Sequence, residues 1–367
     1  MMRVIVTGGG TGGHIYPALA IADKFKEADR DTEILYVGSE EGIEKDVVPK
    51  TGYRLELVDA RWLDKSNPWQ LIKTGVKVMK GIHEAKQIMR KFKPDVVIGT
   101  GGYVCFPVIL AGKSYGAKTF LHEQNAFPGL ANKALERYVN KLFLGFADAA
   151  SYFKEPEKAV ETGNPVRKSF FSLSRDEARA RLGFSKDEFV VFSFGGSLGA
   201  EKINEVAFDL MQLINGHENM RMIFGTGKWY YDSILKKIQE KGIAPKSNIL
   251  IKDYIDDMEN YLAASDLVIS RAGALSVAET TVCGKACILI PSPNVSGNHQ
   301  YYNAKAIADR GGAVLIEEKD LSSERLITEV MRLKNDPAEL ERMGRAGRAC
   351  APLKALDIIY EEVKKSL

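Results

Sequence analysis

The chain has 367 residues, of which 45% are hydrophobic and 27% charged, with a formal net charge of +3. Those proportions exclude collagen, a disulfide scaffold and wholesale disorder, and the length suits two domains at about 150 residues each. No uncharged apolar run approaches the roughly 20 residues that span a bilayer. The opening Met1-Met2-Arg3-Val4-Ile5-Val6 lacks the apolar stretch and cleavage site of a signal peptide, so a cytoplasmic location is expected.

Val4-Ile5-Val6 predicts a strand that runs into Gly8-Gly9-Gly10-Thr11-Gly12-Gly13, with helix from Pro17. Ile34-Leu35-Tyr36-Val37 predicts the next strand. Lys65, Lys73, Lys77, Lys80, Lys86, Arg90, Lys91 and Lys93 then face a single acid, Glu84, and interleave with Trp62, Leu63, Trp69, Leu71, Ile72, Val76, Val78 and Met79. Part of that stripe reads as core, with Leu71, Gly75, Val78 and Ile82 on one helical face. Its basic, tryptophan-bearing edge equally suits an anionic membrane surface. Val96-Val97-Ile98 leads to Gly99-Thr100-Gly101-Gly102-Tyr103, and Thr119-Phe120-Leu121 leads to His122-Glu123-Gln124-Asn125.

The rhythm restarts after the turn-rich Thr162-Gly163-Asn164-Pro165. Strand-like runs follow at Phe189 to Phe194, Arg221 to Phe224, Ile249 to Ile251, Leu267 to Ser270 and Cys287 to Ile290. The second half also opens like the first, with Val190-Val191-Phe192 running into Gly195-Gly196-Ser197-Leu198-Gly199-Ala200. Strands alternating with helical patterns give an α/β chain with parallel sheets. The organisation expected is two Rossmann-like doubly wound domains, 1–163 and 164–350. A C-terminal helix within 351–367 could pack back on the first domain.

In such sheets ligands bind at the carboxyl ends of the strands. The glycine loops suit a phosphate-bearing ligand, because backbone N–H groups and a helix N-terminus face the anion. Gly8-x-Gly10-x-x-Gly13 is formally a dinucleotide fingerprint, but the acids Glu40 and Glu41 come too late for the ribose contact. His14 follows the loop at the start of a helix, where the helix dipole favours the neutral imidazole that a general base requires. His122 to Asn125 are four polar residues at a strand end, able either to bond a polyhydroxylated ligand or to cap a loop. Arg167 suits a phosphate. In Arg271-Ala272-Gly273-Ala274-Leu275-Ser276-Val277-Ala278-Glu279, small residues admit a ligand to the backbone, and Glu279 can accept two ribose hydroxyls. Gln300 and Asn303 follow the next strand. Asp253, Asp256, Asp257 and Glu259 read as a helix start rather than a metal site. Cys105, Cys283, Cys287 and Cys350 have no C-x-x-C spacing and read as buried thiols, and the five histidines show no metal-binding spacing.

Taken together and in order, these loops resemble the MurG family, the bacterial UDP-N-acetylglucosamine:lipid I N-acetylglucosaminyltransferases of peptidoglycan synthesis. The likeness covers essentially the whole chain. It rests on Gly8 to His14, Gly101-Gly102-Tyr103, His122 to Asn125, Gly163-Asn164-Pro165-Val166-Arg167, Gly195 to Ala200, Tyr254-Ile255-Asp256-Asp257-Met258, Arg271 to Ala274, Ala278-Glu279, and Gln300 with Asn303-Ala304. The resemblance implies a GT-B fold with a cleft between the two domains, no cofactor and a metal-independent inverting transfer. The C4 hydroxyl of N-acetylmuramoyl-pentapeptide on undecaprenyl diphosphate (lipid I) would attack the anomeric carbon of UDP-GlcNAc, giving lipid II and UDP. It implies an enzyme at the cytoplasmic face of the membrane, held peripherally, with no nucleic-acid partner.

By the same resemblance, His14 is the candidate base. Thr11, Gly12, Gly13 and Asn125 would touch the donor sugar or the acceptor. Arg167 and Ser197 would hold the diphosphate or nucleotide, Ile255 the uracil through its backbone, Ala274 to Glu279 the nucleotide sugar, and Gln300 the transferred sugar. Tyr103, Glu123 and Arg271 complete the substrate-binding set. Thr7 and His299 depart from the family pattern. Other readings are a UDP-sugar-dependent diacylglycerol glycosyltransferase, a nucleotide-sugar 2-epimerase, and a non-catalytic binder of RNA or anionic membrane. The last leaves the second-half loops without a role.

Overall fold

The computed structural model describes residues 1–60, 68–196 and 198–367, with side chains described from residue 78 onward in the helix Pro68–Phe92. Trp62, Leu63, Lys65 and Ser197 lie outside the described residues, as do the side chains of Trp69, Leu71, Ile72, Lys73, Val76 and Lys77. The chain divides into two compact units, the first Met1–Val166 with Pro352–Leu367, the second Arg167–Ala351.

The first unit holds β1 (Arg3–Thr7), β2 (Glu33–Ser39), β3 (Arg54–Val58), β4 (Val96–Gly99), β5 (Lys118–Glu123), β6 (Lys141–Leu144) and β7 (Ala159–Glu161). They form one sheet in the order β3-β2-β1-β4-β5-β6-β7, parallel throughout. Strand periodicity sorts its side chains. Ile5, Leu35, Val37, Val97, Leu121 and Leu142 enter one core, and Val4, Val6, Tyr36, Val96, Ile98, Phe120 and Phe143 enter the other. Burial on both faces is why the central strands read as unbroken apolar runs. Strands β3 and β7 carry mixed polarity at the sheet edges, which hides them from that reading.

Helix Ala355–Ser366 lies on the Val4/Val6 face, where Ile359 and Val363 join Ile15, Ala18 and Phe25 of helix Gly12–Ala28. Phe25 meets Tyr360 edge-on at 5.1 Å. Lys24 pairs with Asp357, and Lys141 with Glu362. Helix Gly12–Ala28 begins five residues before the expected Pro17. Pro17, the sixth residue of this helix, supplies no N–H to the Gly13 carbonyl.

The second unit holds β8 (Phe189–Phe194), β9 (Met220–Gly225), β10 (Ile249–Lys252), β11 (Leu267–Ser270), β12 (Ala286–Leu289) and β13 (Ala313–Leu315). They are parallel, in the order β10-β9-β8-β11-β12-β13. The amphipathic helices Glu201–Asn215 and Ser323–Asn335 supply Ile203, Leu210, Leu326 and Val330 to its main core. Arg179, fully buried, is a knot at the amino end of this sheet. It donates to the carbonyls of Ala264, Ser185, Lys186 and Glu188 and pairs with Asp266 at 2.6 Å. Cys105 and Cys287 are buried as expected, but Cys283 and Cys350 are only partly so. Among the described residues no helix is long and apolar enough to cross a membrane.

Candidate active site

In the first unit three loops follow β1, β4 and β5, which are neighbours in the sheet. The β1 loop binds the β4 loop through backbone, with Gly9 N–H donating to Gly101 O at 3.2 Å. Contact this close requires glycine. A Cβ on Gly102 would stand 2.3 Å from Gly9 O, and one on Gly8 would stand 2.0 Å from Thr100 Oγ1. Tyr36 donates its hydroxyl to Gly8 O at 2.7 Å from beneath. Tyr103 covers Gly10, its Cε1 lying 3.3 Å from where a Cβ would be.

Helix Gly12–Ala28 starts from this loop, with Thr11 as an extended N-cap whose side chain makes no capping bond. Gly12 and Gly13 occupy the first two helical positions, where backbone N–H groups have no partner within the helix. His14 comes third. Its Nδ1 bonds Gly9 O at 2.9 Å, and Thr100 Oγ1 donates to its carbonyl at 2.7 Å. The imidazole lies over Gly101, where a Cβ would stand 2.8 Å from Cδ2. A carbonyl only accepts, so Nδ1 carries a proton in this bond, and in the neutral form of the ring the lone pair then lies on Nε2.

The β5 loop departs from the expectation of four ligand-facing residues. His122, Glu123 and Gln124 are buried and bonded within the protein. Burial pushes the His122 imidazole down to about 4. It therefore stays neutral, bonded through Nε2 to Gly163 O and through Nδ1 to Gln124. Glu123 is 1% exposed. One of its oxygens accepts from Asn125 N and Nδ2, and the other from Gly129 N and Asn132 Nδ2. It shapes the loop that carries Asn125, and Asn125 alone of the four is partly exposed. The reason is geometric: the last strand residue of a sheet covered on both faces still points into the core.

The second unit repeats the device. Gly199 and Gly227 pack backbone to backbone, a Cβ on Gly227 standing 2.1 Å from Gly199 N. Beside them opens a cavity of about 620 Å³ lined by Gly195, Gly199, Ala200, Arg271, Gln300 and other polar groups, a volume typical of small-molecule sites. Gln300 Oε1 accepts from Ser292 N at 2.9 Å, which turns its amide donors outward. The Arg271 guanidinium is held by Glu318 and by the carbonyls of Ile290 and Pro291, each at 3.3 Å. Ile255 packs its side chain on Gly225 at the end of β9.

Helix Ala274–Val282 begins after Gly273. Ala274, Val277 and Ala278 turn their side chains inward, so this stretch offers a ligand its first-turn N–H groups. Glu279 is half-buried, and burial pushes its carboxyl up to about 7, with Arg167 opposing the shift and Glu259 adding to it. Arg167 lies 3.5 Å from Glu259 and over the Phe170 ring at 5.2 Å. Glu259 thus belongs with an arginine, and among the described residues no group of His, Cys, Asp or Glu is placed to hold a metal.

Several supporting residues carry no local sequence signal. Tyr36, Thr100, Asn132 and Glu318 look like ordinary strand or surface residues until the chain is folded.

Two parallel Rossmann-like sheets, each with glycine loops leading into helices at its carboxyl edge, are the architecture of the GT-B class of proteins. Within that class the chain belongs to glycosyltransferase family 28. Residues 4–144 match the glycosyltransferase family 28 N-terminal domain, and residues 190–356 match the family 28 C-terminal domain. The chain is 42% identical to the UDP-N-acetylglucosamine--N-acetylmuramyl-(pentapeptide) pyrophosphoryl-undecaprenol N-acetylglucosamine transferase of Acetivibrio thermocellus, covering 99% of this chain and 98% of that one. It is also 42% identical to the protein of that name from Clostridioides difficile, over 100% and 89% of the two chains. The crystal structure of Acinetobacter baumannii MurG superposes with a TM-score of 0.77 at 26% identity, each chain covered completely.

Proposed function

We propose that this chain transfers N-acetylglucosamine from UDP-N-acetylglucosamine to the C4 hydroxyl of the N-acetylmuramoyl-pentapeptide carried on undecaprenyl diphosphate, inverting the anomeric carbon and releasing UDP. The observation that carries the reading is the end-to-end likeness, about 42% identity over 99% of the chain, to a transferase of that name. Nothing in that likeness favours a diacylglycerol acceptor.

The geometry supplies roles for the steps. In this reading His14 Nε2 takes the proton of the attacking hydroxyl while Nδ1–H holds to Gly9 O. The Gly12 and Gly13 N–H groups at the helix start meet the acceptor's diphosphate. Thr11 and Asn125 serve the sugar hydroxyls in this reading, and Tyr103 packs on Gly10 of the loop. In the second unit the starts of helices Glu201–Asn215 and Ala274–Val282, together with Arg167, oppose the charge that develops on the departing diphosphate. Preorganised dipoles of this kind substitute for a metal ion. Glu279 accepts from the ribose, Ile255 meets the uracil through its backbone, and Gln300 donates to the transferred sugar. Ser197 stays in the nucleotide set on the resemblance alone.

A lipid-carried acceptor suits an enzyme held peripherally at the cytoplasmic face of the membrane. The described half of helix Pro68–Phe92 is suited to this: Ala85 and Met89 are buried, while Met79, Lys86 and Arg90 face out. Lys80 is also exposed but pairs with Asp59 and Glu84.

The test is UDP release from UDP-GlcNAc, with and without a soluble lipid I analogue, in EDTA. Release that depends on the analogue and survives EDTA is expected. Consumption or rearrangement of the donor without any acceptor moves the reading to a hydrolase or an epimerase.

A further inference from the structure

The glycine loop rests on a carboxylate that the chemistry above leaves unused. Glu44 opens the short helix Glu44–Val47 and is 0% exposed. Its Oε1 accepts from Gly10 N at 3.3 Å and from Ser39 N at 3.4 Å. Its Oε2 is buried with no hydrogen-bond partner among the described residues. Glycine makes the room. A Cβ on Gly9 would stand 2.0 Å from Oε1, and one on Gly42 would stand 1.6 Å from Oε2. A buried carboxylate carries a desolvation penalty that two long backbone bonds offset poorly. For stability alone, an apolar side chain would serve better.

The Gly10 N–H that bonds Glu44 and the Gly9 C=O that bonds His14 belong to the same peptide. Carboxylate, peptide and imidazole therefore stand in one hydrogen-bonded series, 3.3 Å at the first link and 2.9 Å at the second. Negative charge at the N–H end of an amide polarises it and increases the electron density on its oxygen. Hydrogen bonds in series strengthen one another where the surroundings are of low dielectric. A stronger acceptor at Nδ1–H holds the tautomer that leaves the Nε2 lone pair available. It also stabilises the imidazolium formed when Nε2 takes a proton. A carboxylate in direct contact with a catalytic histidine does the same work.

We propose that Glu44 is a positioning residue for His14, acting through the Gly9–Gly10 peptide. The inference rests on the reading of His14 as the base, and its test separates the two. Glu44→Gln keeps the volume and an acceptor oxygen for Gly10 N–H but removes the charge. We expect kcat to fall about tenfold, the low end for residues that support a first-contact group, with KM for UDP-GlcNAc and the melting temperature unchanged. The double variant Glu44→Gln/His14→Ala should be no slower than His14→Ala alone.

Wild-type kcat in Glu44→Gln beside an inactive His14→Ala would remove the relay and leave the base standing. Wild-type turnover in His14→Ala would remove both. A double variant slowed by the product of the single effects would show Glu44 acting elsewhere and overturn the proposal. Imidazole 15N spectra of the wild-type protein, with His14 assigned by comparison with His14→Ala, give a readout that needs no Glu44 variant. The Nδ1–H tautomer supports the series, and the Nε2–H tautomer breaks it.

Discussion

His14 is held in place by three neighbours. Gly9 O holds Nδ1, Thr100 holds the backbone carbonyl, and Gly101 leaves space for the ring. His14→Ala should leave UDP-GlcNAc binding nearly intact and lower turnover by roughly 10²–10⁴, the usual range for loss of a general base. Calorimetric binding and single-turnover assays on the same sample check both halves. Glu279 gives a second prediction. Its carboxyl, raised from 4.5 to about 7 mainly by burial, accepts ribose hydroxyls best when ionised. UDP-GlcNAc affinity should therefore weaken as pH falls from about 8 to 6, and Glu279→Gln should flatten that profile. The stability effect has the opposite sign. Between pH 4.5 and about 7 the folded second unit holds a proton that the unfolded chain releases, so its stability should decline as pH rises through that window. A urea-midpoint series against pH reads it.

At the scale of elements, a glycine loop packs on a neighbouring loop in each unit. The β1 and β4 loops touch backbone to backbone, so Gly8 and Gly102 are demanded by packing before any ligand arrives. Helix Pro68–Phe92 divides into a buried face at Gly81, Ala85 and Met89 and an outer face that includes Lys86 and Arg90. Near an anionic surface each such charge contributes about 1 kcal/mol. Lys86→Glu/Arg90→Glu should therefore lower binding to phosphatidylglycerol vesicles at least tenfold in a sedimentation assay, with UDP-GlcNAc affinity unchanged. Retained vesicle binding would place the docking surface elsewhere. The apolar stripe and the basic residues of this helix are both visible in the sequence. Which lysines are committed to ion pairs, as Lys80 is to Asp59 and Glu84, is not.

At the scale of the whole molecule, the chain returns at its end to the unit where it began. Ile359, 1% exposed, packs with Ile15 and Ala18 on the Val4/Val6 face of the first sheet. Ile359→Ala should cost about 2–5 kcal/mol through lost burial and a cavity. Hydrogen exchange should show the loss at β1 and β4 amides of the first unit. A loss of protection confined to the helix Ala355–Ser366 would mean that this helix frays by itself.

The sequence by itself determined most of the central buried strands, the repeated strand–glycine-loop–helix opening and the family, because these are local. A strand buried on both faces must be continuously apolar, and a loop that admits backbone to backbone must be glycine. Only the tertiary structure decided which polar residues face a ligand and which face the protein. His122, Glu123, Gln124 and Asn125 are consecutive and alike in polarity, yet three of them turn inward. Glu44, set in the charged run Glu40-Glu41-Gly42-Ile43-Glu44-Lys45-Asp46, reads as surface and is buried. Its partner Gly10 lies 34 residues away, as Thr100 lies 86 from His14. Burial and hydrogen-bond partners are set by residues distant along the chain, and spacing along the sequence carries no record of them.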